Sequence, residues 1–109
     1  MTDTGFVEVQ PDPNFVRRGA ELGSTNIRVL ERKRRGVLVR VIASTDPSGP
    51  KGELEEHASV TTDQGKAREP TPGEVRDALR ALGWERGTYH IMRHGGLVAH
   101  VYKIRKGGA

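Results

Sequence analysis

The chain has 109 residues, of which 34% are hydrophobic and 29% charged, with a net charge of +4 and no cysteine. That length holds one ordinary domain, residues 1–109, around a small core of Val, Leu, Ile and a lone Trp. Lack of Cys excludes disulfides, thiolate chemistry and Cys-ligated zinc, and apolar runs as short as Val37-Leu38-Val39 exclude a membrane-spanning helix.

In chain order, Phe6 to Gln10 reads as a short strand ended by Pro11-Asp12-Pro13. Asp12 is placed to cap a short helix with Pro13 in its first position and Phe15, Gly19 and Leu22 on one face. Residues 1–26 are read as a peripheral arm. Ile27 to Ala43 reads as a β-hairpin whose tip is Arg32-Lys33-Arg34-Arg35-Gly36, with Gly36 closing a type I turn through a bulge. That register sets Lys33 opposite Val37, Glu31 opposite Val39 and Val29 opposite Val41, leaving Arg28, Leu30, Arg32, Leu38, Arg40 and Ile42 on the other face.

Ser44 to Gly52 is a Pro- and Gly-containing loop. Leu54, Glu56, Ala58 and Val60 then alternate with Glu55, His57, Ser59 and Thr61, the period of a strand, and Asp63 to Pro70 reads as a second polar loop. Thr71-Pro72-Gly73-Glu74 carries a capping Thr, Pro at the first helical position and Glu three residues after the cap. Val75, Ala78, Leu79 and Leu82 follow at helical spacing, and Gly83 ends the helix so that Trp84 folds back onto Leu79. Thr88 to Ile104 reads as a second hairpin turning at His94-Gly95-Gly96, and 105–109 as a frayed tail. The expected fold is α+β: a small antiparallel sheet of about five or six strands with one main helix, about 72–82, packed on one face.

Net-basic segments (27–43 and 87–109) alternate with net-acidic ones (1–26 and 44–70), a polarised pattern suited to an acidic partner or a second copy of the chain. Arg28, Arg32, Lys33, Arg34, Arg35 and Arg40 on the first hairpin form the candidate for nucleic acid or another acidic partner, since guanidinium forks suit phosphate. No aromatic interleaves them, so base stacking has no support, and a solvated charged face is the plainer reading. His57, His90 and His100 are candidate metal ligands if the second hairpin sets His90 opposite His100 and the His57 strand lies beside it; ordinary strand histidines are the plainer reading.

Ser44, Ser48 and Ser59 have no nucleophile-elbow context, the glycines form no phosphate loop, and Glu55 and Glu56 point to opposite faces of a strand. No enzyme, small-molecule substrate or cofactor is therefore expected. Met92, Val98, Tyr102 and Ile104 share the face of the second hairpin that one helix cannot cover, and are candidates for a protein interface or self-association. The N-terminus has no basic region leading into an apolar run, so no secretory signal is expected.

The stretch Glu56-His57-Ala58-Ser59-Val60, followed by Pro70-Thr71-Pro72-Gly73-Glu74-Val75 and by Ala99-His100-Val101-Tyr102, resembles small uncharacterised domains encoded by actinobacterial phages and their relatives. The resemblance covers about the last half of the chain. It implies an accessory, host-directed protein in the cytoplasm of a bacterial cell or phage-infected host, and it brings no known active site.

Overall fold

The computed structural model describes residues 4–47, 49–93 and 96–104. Strand β1 (Val7–Val9) leads to helix α1 (Pro13–Glu21), then β2 (Thr25–Arg34), β3 (Val37–Asp46), β4 (Glu55–Asp63), β5 (Ala67–Arg68), helix α2 (Pro72–Ala81), β6 (Tyr89–Arg93) and β7 (Val98–Lys103). All strand pairs are antiparallel, in the order β1-β2-β3-β4-β7-β6, with β5 pairing with β4 off that path. The α+β class and the main helix match the expectation, and β5 falls in the segment read as a loop. The arm supplies both β1 and α1, whose cap Asp12 accepts from Asn14 N at 2.8 Å.

The β2–β3 turn departs from the sequence reading. Arg34 pairs with Val37 and Lys33 with Leu38, so the turn has two residues rather than a bulged three. Arg35 at φ 53° and Gly36 at φ 76° give it type I′ form, whose twist matches that of the strands it joins. A one-residue slip in register exchanges every side chain of one strand between faces. Leu30 therefore joins Val39 and Val41 instead of Leu38 and Ile42.

That choice builds the core. Leu30, Val41, Val60 and Ala99 form one row across four strands, and Ala43, Ala58 and Val101 the next; all are buried. Val75, Ala78, Leu79 and Leu82 of α2 and its C-terminal cap press onto these rows and are themselves buried. Both ends of α2 are satisfied locally. Thr71 Oγ1 accepts from Glu74 N at 3.1 Å while Glu74 accepts from Thr71 N at 2.8 Å. At the other end Gly83, at φ 83°, lets Trp84 N donate to Leu79 O and Gly83 N to Arg80 O. Trp84 is buried under Lys103, whose Nζ lies 5.0 Å from the ring centre.

Ion pairs clamp the helix to the sheet. Arg68 donates twice to Glu74, at 2.8 and 2.9 Å, and Arg32, 8% exposed, donates to Asp77 at 2.9 Å with Phe6 stacked 4.9 Å from its guanidinium carbon. The carboxylates of both α2 acids are thus turned to the sheet. No helix among the described residues is long and apolar enough to cross a membrane.

Candidate functional site

Because α2 roofs one side, alternation along each strand sends every second side chain to the other side. Ile42, Ser59, His100 and Met92 form one row there, and Ser44, His57, Tyr102 and His90 the next. Of the two described α-helices, α1 is the one that approaches this face. It lies near β2, with Ile27 so close to Gly19 that an added Cβ would meet Ile27 Cδ1 at 2.9 Å. None of the α1 residues is buried, so the helix leans on the face without sealing it.

Phe15 of α1 divides the face into two hollows that share Phe15 and Ile42 as lining. The larger, about 520 Å³, runs between α1 and the second hairpin, with Met92 and Tyr102 on its far wall and Ser44, Asp46, Ser59 and His100 contributing polar groups. The smaller, about 410 Å³, lies between β1 and α1 and includes Arg18, Glu31 and Arg40. Apolar lining with a few convergent polar groups in this size range is the usual composition of a recognition pocket.

The interface candidates lie together here. Met92 and Tyr102 line the larger hollow and Val98 faces the same side one row on, opposite Thr61. Ile104 follows β7, exposed, and its N–H donates to Thr88 O at 2.9 Å. Phe15, on the α1 face that also carries Gly19 and Leu22, is 38% exposed at the rim. Ile42 and Asp46 were missed as lining residues, because the bulged turn put Ile42 among the arginines. The odd sum of the paired positions in a two-residue turn is the signal that would have placed them.

The six basic residues do not form one surface. Arg28 pairs with Glu8 at 2.8 Å and Arg32 with Asp77 on the helix side, while Arg40 pairs with Glu31 on the open side. The expected shared face of Arg28, Arg32 and Arg40 fails because the register slip turns β3 over relative to β2. The hydrogen bond from Arg28 lowers the Glu8 pKa and raises that of Arg28. Lys33, Arg34 and Arg35, at the turn, are exposed and make no ion pair with another described residue.

The histidines do share the open face, and β4 does lie beside β7, but His90 stands opposite Tyr102 rather than His100. The pairing is shifted by two residues from the expected turn, of which His94 and Gly95 lie outside the described residues. Tyr102 separates His57 from His90, with ring centres 6.5 and 5.5 Å away respectively. Among the described residues no group of three His, Cys, Asp or Glu is arranged to hold a metal. Ser59 Oγ lies 3.4 Å from His100 Nδ1, longer than the hydrogen bonds used for general base catalysis, and no described carboxylate hydrogen-bonds that imidazole. Of the three serines considered, Ser48 lies outside the described residues, and Ser44 donates to Asp46 Oδ2 at 3.2 Å. Comparison with protein-family models, curated proteins and solved structures finds no match.

Proposed function

We propose that this chain is a non-enzymatic binding protein that engages a protein surface through the open face of its sheet. The observation that carries the reading is the asymmetry of cover. One face is buried beneath α2, whereas the other presents Phe15, Ile42, Met92 and Tyr102 around a 520 Å³ hollow. Exposed apolar side chains rimmed by polar ones are the usual make-up of a protein-binding surface. Ser59 and His100 act here as polar contacts. The phage-like pattern of the second half fits an accessory protein working on a host component in the cytoplasm.

A photo-crosslinking side chain at Met92, compared with one at Arg80 on the outer side of α2, tests this in a nuclease-treated lysate. Capture from position 92 and not from 80, abolished by Tyr102→Asp, is the expected result. Capture from position 80 alone would place the contact surface on the helix and end the open-face reading. Met92 is 39% exposed, so Met92→Ser should change stability by less than about 0.5 kcal/mol while weakening capture.

A nucleic-acid reading rests on the β2–β3 turn alone, where Lys33, Arg34 and Arg35 lack carboxylate partners among the described residues. It requires affinity for mixed-sequence DNA that falls with salt and collapses in Arg34→Glu/Arg35→Glu.

A further inference from the structure

On the helix side of the sheet, where the β2–β3 turn meets the first turn of α2, a hollow of about 350 Å³ is lined by Arg32, Arg34, Arg35, Val37, Val39 and Glu74. The register gathers them. Arg34 and Val37 are cross-strand neighbours, as are Arg32 and Val39, on the side that α2 covers. Arg32 and Arg34 run side by side over Gly5, where an added Cβ would meet Arg34 Nη2 at 2.7 Å and Arg32 Cδ at 3.2 Å. Like charges held this close repel. The acids nearby are already engaged. Glu74, the one carboxylate in the lining, accepts from Arg68 through both oxygens and from Thr71 N. Asp77 accepts from Arg32 Nη1 at 2.9 Å. Arg34 and Arg35 form no ion pair with a described residue, so two positive charges of the hollow stay unanswered. Arg32 is 8% exposed and further fixed by Thr4 O and the Phe6 ring, yet its Nε is buried without an acceptor among the described residues. A buried N–H left in that state is costly.

We propose that this hollow binds a small phosphomonoester, its phosphate held by Arg32, Arg34 and Arg35 and its organic part resting against Val37. Guanidinium forks donate two parallel hydrogen bonds to phosphate oxygens. Two unanswered guanidiniums match a group that carries nearly two negative charges at neutral pH, whereas a phosphodiester carries one and answers half of them. One phosphate oxygen is the acceptor that Arg32 Nε lacks. The hollow has room for more than a bare phosphate, and half-buried Val37 gives the remainder of the ligand an apolar wall. The site lies across the sheet from Met92 and Tyr102, so it stands apart from the open-face reading.

Titration of the 109-residue chain with phenyl phosphate, read by NMR at the arginine Nε–H signals, tests the site. The signals of Arg32, Arg34 and Arg35 should shift together along one binding curve. Inorganic phosphate should move the same signals with weaker affinity, because it has no group to set against Val37. The methyl ester of phenyl phosphate, a phosphodiester, should bind at least about tenfold more weakly than phenyl phosphate. Arg34→Gln/Arg35→Asn should lose at least about tenfold in affinity for phenyl phosphate with an unchanged circular dichroism spectrum. Asn tolerates the left-handed backbone at position 35, and both residues are exposed. Lys33→Gln, on the open side of the same turn, should bind phenyl phosphate as the parent does. An Arg32 Nε–H signal that does not move, undiminished affinity in the double variant, or a phosphodiester bound as tightly as the monoester would each overturn the proposal. An equal loss in Lys33→Gln would point to diffuse charge at the turn and overturn it too. Mixed-sequence DNA that displaces phenyl phosphate at equal phosphate concentration would transfer these arginines to the nucleic-acid reading and end the phosphomonoester one. Capture from position 92 depends on none of these results.

Discussion

Replacing Glu74 by Gln measures how strongly α2 is held to the sheet. Its carboxylate accepts from both terminal nitrogens of Arg68 and from the Thr71 N–H. Those donors favour the charged form: the Arg68 hydrogen bond, opposed by burial and helped by Thr71, draws the Glu74 pKa from 4.5 down to about 2. A shift of that size corresponds to roughly 3 kcal/mol. Arg68 is 31% and Glu74 15% exposed, and solvent screening at Arg68 reduces the figure to about 2 kcal/mol. Because the folded pKa lies below the unfolded one, the unfolded chain binds more protons between about 4.5 and about 2. The contribution is complete above that window and is lost as the pH falls through it, at no more than about 1.4 kcal/mol per pH unit. Urea unfolding of parent and Glu74→Gln proteins at matched ionic strength, from about neutral pH down to about pH 2, reads the difference directly. The variant should be about 2 kcal/mol less stable at neutral pH, with the gap closing in acid. Glu8 also loses its bond to Arg28 in acid, in both proteins alike, so only the difference isolates Glu74. A gap that stays constant with pH would refute the argument, since it would owe nothing to the carboxylate charge.

Two further outcomes test the fold. Leu79 is fully buried beneath the sheet rows, so Leu79→Ala should cost about 3 kcal/mol in the urea midpoint; a cost under about 1 kcal/mol would mean that α2 does not cover the core. Gly36 has φ 76° and nothing within 4 Å of an added Cβ, so Gly36→Ala isolates backbone strain and should cost about 1 kcal/mol without altering the folded spectrum.

What was legible in the sequence followed local rules. The Thr71 to Glu74 cap, the Gly83 stop and the alternation of Ala58 and Val60 each depend on neighbours within a few residues, and the structure carries all three. The open face of the second hairpin was legible too, since Met92 and Tyr102 keep their side under either register. The first hairpin was not. A positive φ at Arg35 is uncommon for a residue with a side chain, so local reasoning gave the left-handed position to Gly36 alone. The cost at Arg35 is outweighed by uniting Leu30 with Val39 and Val41 beneath α2, a gain that appears only once β4 and the helix are in place. The arginine site failed with that register, and Asp46 was overlooked because its relation to Glu55 exists only across two strands. Strand β5 has two residues, too few for any periodicity to register.

The pairing of β4 with β7 gives the molecule its order of assembly. Strands β1 to β4 pair with sequence neighbours, β1 and β2 across the short α1 helix, whereas β7 reaches β4 only after β5, α2 and β6 have been traversed. Closing so long a loop carries an entropic penalty that is repaid only when the distant strand docks. During synthesis, then, the β4 edge from His57 to Thr61 stands unpaired until β7 emerges, and that edge is the seam along which a nascent chain is most exposed to misassembly.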